Sequence, residues 1–478
     1  MGKTSSPHYD AIVIGAGPNG LAAAITLARA QKSVLLIEAA DTIGGGMRSA
    51  ELTLPGFIHD VCSAIHPLGA SSPFFRDLPL HEHGLEWIYP PAAAAHPLDD
   101  GSAIILEKSI EATATQLGRD AAIYRRLMTP LVNDWDKLVK MTLAPLLRVP
   151  HHPIALTRFG LPALLPLHTF AKTFFREERT RALFAGLAGH SMLTMGHIAS
   201  ASFSMVLGIL GHYIGWPLAK GGSQKIADAL GSYFQSIGGE IITGQWVASL
   251  AELPSAQAYF FDTSPRQMVE IAGDKLPTSY QNRLQKYRYG MGVFKLDWAL
   301  NHPIPWKAAE CSRAATLHIG PTLADITASE KAIWQGRNSD TPYLIVAQQS
   351  LFDSTRAPAN HQTAWAYCHV PNGSTADMTT VIENQMERFA PGFRDCIIAR
   401  HQMNTADYQT YNANYVGGDI NGGVQDIPQL IMRPALRLNP YSTPARGIYL
   451  CSSSTPPGGG VHGMCGYYAA RSALKEVF

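Results

Sequence analysis

Four apolar residues, Ala11 to Ile14, run into a cluster of glycines, and an alanine-rich stretch from Leu21 to Arg29 follows. A short unbroken apolar run reads as a strand buried on both faces, and the stretch after the glycines has helical character, so the chain opens strand, turn, helix. A second run, "SVLLIE", ends on Glu38 and predicts the neighbouring parallel strand. "LEWIYPP" and "SAIILE", between Leu85 and Glu107, predict short strands around a turn at Asp99, Asp100 and Gly101. From Ser109 to Leu147 the pattern is helical, with Leu127, Leu131, Trp135 and Leu138 at three- and four-residue spacing.

The stretch from Ala182 to Ala219 contains no Asp, Glu, Lys or Arg, yet glycines from Gly186 to Gly215 and the polar His190, Ser191, His197, Ser200 and Ser204 interrupt it. The uninterrupted pieces fall short of the roughly 20 residues a membrane span needs, which predicts buried helices instead. His190, His197 and His212 read as satisfied core histidines. Lys220, Gly221 and Gly222 open an amphipathic helix, Gly238 and Gly239 turn out of it, and Glu240 to Val247 reads as a strand. Ala258 to Pro265 supplies another strand and its turn. In "GVFKLDWALNHPIPW" the residues alternate, with Val293, Lys295 and Asp297 on one face and Phe294, Leu296 and Trp298 on the other.

At 478 residues the chain is longer than one hydrophobic core usually grows, which predicts two domains. Lys plus Arg (38) nearly cancel Asp plus Glu (37), and no basic run is available to neutralise a phosphate backbone, so nucleic acid is not the expected partner. The six cysteines show no C-x-x-C spacing, which argues against a disulfide framework and against a metal site. "MGKTSSPHYD" has no apolar segment, so a cytoplasmic protein is expected; Gly2 and Ser6 also satisfy the loose myristoylation pattern.

The chemistry lies in the glycines. Gly15, Gly17 and Gly20 form G-x-G-x-x-G between a strand and a helix. Gly15 permits the tight turn, Gly17 lets backbone approach a pyrophosphate, Gly20 lets helix and strand pack closely, and the helix N-terminus faces the anion. Glu38 stands where an acid accepts from a ribose hydroxyl. Beyond it Gly44, Gly45, Gly46 and Arg48 make a second loop able to approach the same anion. In "YLCSSSTPPGGGVHG" a third glycine cluster precedes the final helix, where backbone N–H groups could face developing negative charge on a bound group. No second strand, G-x-G-x-x-G and helix unit appears in mid-chain, and no redox cysteine pair follows the first.

This series of G-x-G-x-x-G, Glu, I-G-G-x-x-R, P-G-F-x-x-D and the closing glycine motif resembles the FAD-dependent phytoene desaturase and amine oxidase superfamily, in its phytoene-dehydrogenase-like branch. The resemblance implies FAD as cofactor, contacted by Gly15, Ala16, Gly17, Pro18, Asn19, Gly20, Glu38, Ala39, Gly45, Gly46, Met47, Arg48, Val247, Ser453, Gly459, Gly460 and Val461. It also implies an α/β fold in which a Rossmann-type FAD-binding domain (1–80, 217–290 and 440–478) is interrupted by an α+β substrate domain (81–216 and 291–439) with a mixed sheet and a helical insert. The reaction implied is hydride transfer between a C–H of a lipophilic small molecule and flavin N5, giving desaturation, saturation or isomerisation of carbon–carbon bonds. Such a substrate leaves peripheral membrane contact open. Under the alternative, amine oxidation, Lys295 is the candidate catalytic residue; as a surface lysine on an edge strand it would have no such role. A non-catalytic flavoprotein-like scaffold is a third reading, which intact flavin loops oppose.

Overall fold

The structure is a computed structural model that describes residues 8–145 and 151–478. The pattern at Gly2 and Ser6 lies outside these residues. One sheet has five parallel strands in the order Ile448–Leu450, Ala256–Phe261, Tyr9–Ile14, Val34–Ile37 and Glu240–Ile242. Its middle strand is apolar on both faces because both are covered. Ala11 and Val13 join Leu21 and Ile25 of helix Pro18–Arg29, while Ile12 and Ile14 join Met268 and Ile271 of helix Pro265–Ala272. Helices Gln224–Ser236 and Met464–Glu476 flank Pro18–Arg29. The last approach is close enough that a Cβ on Gly466 would stand 1.7 Å from the Asn19 carbonyl oxygen. The sheet therefore draws its strands from three separated stretches of chain.

The strand expected from Glu240 to Val247 stops at Ile242. Gly244 adopts φ +70, and the Gly244 and Gln245 amides donate to the Ala40 and Glu38 carbonyls. The turn brings Val247 back beside the first glycine corner.

The second sheet is mixed and has seven strands, in the order Ile397–Met403, Gly292–Leu300, Gln362–Val370, Leu344–Ala347, Thr316–Ile319, Ala92–Pro97 and Ala103–Glu107. All neighbours are antiparallel except Thr316–Ile319 with Ala92–Pro97. Strand Gly292–Leu300 is interior, and all nine of its residues are buried. Lys295 is thus neither at an edge nor at the surface.

Helices between Ile110 and Tyr213 form a layer beside this sheet. Leu131, Trp135 and Leu138 are fully buried, as their spacing predicts. The charge-free stretch contributes to helices Glu178–Gly189 and Ser200–Tyr213, most of whose residues are buried. Among the described residues no single helix is long and apolar enough to cross a membrane; Pro153–Ala163 and Leu167–Phe174 pass that test only as a pair bent by 101°.

Candidate cofactor and substrate site

The strand-to-helix corner is built by backbone. Gly15 takes φ +96, and its amide donates to the Ile37 carbonyl. Helix Pro18–Arg29 starts from Gly17, which has no side chain to cap it, and Pro18 at its first turn has no N–H to satisfy. A Cβ on Gly20 would lie 2.0 Å from the Gly15 carbonyl oxygen, so close packing does require glycine there. The second loop is a short turn, Gly45–Met47, held by the Gly44 amide on the Ala16 carbonyl. Gly45 faces Gly17 so closely that a Cβ on Gly45 would stand 3.0 Å from the Gly17 Cα, and one on Gly46 would stand 2.4 Å from the Tyr415 hydroxyl.

Glu38 is buried and oriented in advance. Its Oε2 accepts the Ala16 amide at 2.8 Å, and its Oε1 accepts the Ala40 amide and Arg48 Nη2, both at 3.0 Å. Arg48 was expected to reach toward an anion. It instead pairs with Glu38, donates through Nε to the Thr42 carbonyl and lies over the Tyr411 ring.

A continuous cavity of about 730 Å³ connects these parts. Gly15, Gly17, Pro18, Asn19, Glu38 and Ala39 line one end, joined by Gly45, Gly46, Arg48 and Val247. Ser453, Gly459, Gly460 and Val461 line it from the closing motif. Ala16, Gly20 and Met47 are buried behind this wall. A Cβ on Gly459 would collide with the Asn421 carbonyl oxygen at 2.7 Å, so the closing loop packs tightly on the Asn414 to Gly423 segment. That segment is tied together by Asp419, whose carboxylate accepts the Gly290, Asn421 and Gly423 amides. Asp419 thus fills a turn role, as an Asp among glycines commonly does. The first amide of the final helix, on Met464, is taken by His462 Nδ1.

The other end of the cavity is apolar, walled by Leu68, Phe203, Val206, Trp216, Ile345 and Trp365 among others. His190 lines this chamber, where the sequence suggested an ordinary core histidine. Its Nε2 lies 2.8 Å from His318 Nε2, so one imidazole donates to the other. Burial, with the His369 imidazole adding to it, lowers His190 to about 3, which keeps it neutral at neutral pH. His212 fits the expectation, pairing with Tyr124 and the Lys108 carbonyl; His197 pairs with Thr194 but is only half-buried, outside the core.

Lys295 does not line the cavity. Its ammonium pairs with Asp297, donates to the Asp60 carbonyl at 3.0 Å and sits 5.4 Å from the centroid of Trp365, which does face the chamber. Against the cost of burial, Lys295 holds the Asp297 carboxyl below its usual range. Asp60, from the P-G-F-x-x-D motif, pairs with buried Arg356 at 2.7 Å and accepts the Ser49 hydroxyl and the Ser223 amide, so the hairpin of Ser49–Glu51 and Ile58–Asp60 is tied to Lys295 of the seven-stranded sheet through a buried charge network. Among the described residues no group of three or more His, Cys, Asp or Glu could hold a metal ion.

Sequence reasoning missed Asp262. It follows strand Ala256–Phe261, lines the cavity and accepts the Gly20 amide at 2.8 Å. The signal was an acid directly after a strand beside a dinucleotide corner, which a turn explains equally well.

The cavity fits a dinucleotide. Backbone lies bare at Gly17, Gly45 and Gly459, and two buried polar atoms on wall residues, Asn19 Oδ1 and Asn421 Nδ2, have no hydrogen-bond partner among the described residues. Residues 13–78 match the family model of the NAD(P)-binding Rossmann-like domain. The chain is 24% identical to rat pyridine nucleotide-disulfide oxidoreductase domain-containing protein 2, over 98% of this chain and 94% of that one. It is also 24% identical to the lycopene-forming phytoene desaturase of Pantoea ananas, over 97% and 98%, and 34% identical to hydroxyneurosporene desaturase of Cereibacter sphaeroides over 37% and 38%. Among solved structures, an oxidoreductase from Methanosarcina mazei matches with TM-score 0.66 at 16% identity, covering 97% of this chain and 99% of that one. Putrescine oxidase bound to putrescine matches with TM-score 0.61 at 16% identity, covering 98% and 99%. Given this end-to-end similarity and three glycine segments around one cavity, the chain is similar to FAD-dependent phytoene desaturases, it shares its fold with amine oxidases, and its cofactor is FAD.

Proposed function

We propose that this protein transfers a hydride between a C–H of a lipophilic small molecule and its flavin, making, removing or moving a carbon–carbon double bond. The observation that carries this reading is the continuity of the cavity, which runs from the dinucleotide corner into a chamber walled by Leu68, Phe203, Val206, Trp216 and Ile345. Bound FAD would supply the acceptor for a hydride, which carries both electrons; the chain supplies the rest. Apolar walls exclude water and align the substrate chain, while Glu38 and the three glycine segments hold the cofactor. Desaturation also releases a proton from the neighbouring carbon; His190 lines the chamber, but an imidazole lowered to about 3 and bonded to His318 stays neutral and does not hold that proton at neutral pH.

Helix Pro153–Ala163 supports a lipophilic substrate delivered from a membrane surface. It exposes Ile154 (75%) and Leu161 (68%), with Leu164 and Ile198 exposed nearby, while its own Phe159 lines the cavity.

Amine oxidation is the second reading, favoured by the fold shared with putrescine oxidase and by Lys295 behind Trp365. Two features weigh against it. The acids in the described cavity wall, Glu38 and Asp262, both sit at the dinucleotide end. Trp365 and Tyr367 stack at 5.7 Å and 24°, which leaves no slot for an ammonium between them.

Anaerobic mixing of the oxidised holoprotein with phytoene, limonene, putrescine and cyclohexylamine tests the choice. Flavin bleaching by an isoprenoid, with an added double bond in the recovered product, is expected. Bleaching by the amines alone would establish the second reading instead.

A further inference from the structure

The Asp262 carboxylate sits where the glycine corner is tightest. A Cβ on Gly17 would stand 2.6 Å from its Oδ2, and one on Gly20 would stand 3.0 Å away. The Gly20 amide it accepts belongs to the third residue of helix Pro18–Arg29, so Asp262, from the end of another strand, caps a helix whose own N-cap residue cannot. This is the helix end that faces the pyrophosphate of a bound dinucleotide.

Electrostatics make that position costly. Asp262 is 7% exposed and shares the cavity wall with Glu38. The titratable groups that face it are Glu38 from the end of strand Val34–Ile37, Cys451 after strand Ile448–Leu450, and Cys465 from the final helix. Among the described residues no Lys, Arg or His forms an ion pair with it, and Arg48, the one Lys or Arg in the described wall, is paired with Glu38. Burial pushes the Asp262 carboxyl up to about 7, with the Glu38 charge adding to it, against the pull of the Gly20 and Gly17 amides. A pyrophosphate would bring further negative charge to the same wall, where among the described residues no unpaired Lys or Arg balances it.

We propose that FAD binds with Asp262 protonated, so that cofactor binding takes up one proton. The neutral carboxyl still accepts the Gly20 amide through its carbonyl oxygen, so the helix cap survives while the charge is removed. The inference rests on FAD occupying this corner and not on the identity of the substrate.

Linkage fixes the sign. Where Asp262 is protonated with and without FAD, the dissociation constant does not depend on pH; where it is ionised only in the apoprotein, the constant rises by up to about tenfold per pH unit. Titration of apoprotein with FAD between pH 6.5 and 8.5 is therefore expected to show at least about tenfold weakening for the wild type. The Asp262→Asn variant keeps the size and an acceptor oxygen. It is expected to show a flat profile and to bind more tightly than wild type at pH 8.5. A flat wild-type profile, or an Asn variant with the wild-type slope, would overturn the proposal. Should the variant fail to fold, calorimetry of the wild type at pH 8 in buffers of different ionisation enthalpy counts the protons. About one per FAD, with a protonated-carboxyl band in the infrared difference spectrum that shifts on 13C-aspartate labelling, is expected. No uptake, or a band unmoved by the label, would contradict it.

Discussion

Glu38 is gripped by the Ala16 and Ala40 amides and by Arg48, so its carboxylate is fixed before any ribose arrives. Removing it in Glu38→Ala is expected to weaken FAD binding by about 1–3 kcal/mol, the range for a lost hydrogen bond to a charged group, with the flavin potential little changed. Gly460 acts at the opposite end. It holds φ +121 beside Leu68 and His462, a conformation that costs a branched residue about 1–3 kcal/mol. Gly460→Val is therefore expected to lose FAD or to lower the reduction potential of what it retains. Equilibrium titration with FAD and dye-linked potentiometry separate the two variants. A Val variant with unchanged affinity and potential would make the loop a simple helix-opening turn. Gly15, Gly17, Gly20 and Glu38 were legible in the sequence because their chemistry is local. Asp262 and His190 were not, because each acquires its role from a distant partner: Asp262 from Gly20, 242 residues away, and His190 from His318, 128 residues away.

Secondary structure was readable wherever the hydrophobic period was unbroken, as in Tyr9–Ile14, Val34–Ile37 and the helix that follows the glycine corner. The reading failed where tertiary position overrides pattern. Gly292–Leu300 alternates by sequence yet is buried on both faces, because it is interior to its sheet and covered on each side. Helix Pro153–Ala163 is the converse case, an apolar segment left partly uncovered. If its exposed face meets a bilayer, the double substitution Ile154→Glu and Leu161→Glu removes two side chains worth about 1.5–3 kcal/mol each on full burial. Co-sedimentation with liposomes is expected to fall by at least about tenfold with the cofactor still bound. Equal co-sedimentation of variant and wild type would dismiss this face as the contact.

Across the whole molecule, burial holds His59, His66, His96, His212 and His462 at about 4 and His190 at about 3. Their unfolded value is 6.5, so between 6.5 and about 4 the unfolded chain binds more protons than the native one, and stability falls as pH falls. Asp262 works in the opposite sense: raised from 3.8 to about 7, it favours the native state at low pH and gives up that contribution as pH rises toward 7. The histidines outnumber it. Each tenfold loss of proton affinity on folding corresponds to about 1.4 kcal/mol, so the unfolding midpoint of the apoprotein is expected to drop steeply between pH 6.5 and 4.5. A midpoint that is level or rising over that interval would mean that these imidazoles are not buried neutral.

The three glycine segments around the cavity are expected to hold FAD without a covalent link. Heat or acid denaturation of the purified protein, followed by chromatography of the supernatant, tests it most directly. The arrangement of Gly17, Glu38 and Gly460 predicts free FAD in amounts close to one per chain. Release of NAD in place of flavin, or flavin retained on the precipitated chain, would contradict it.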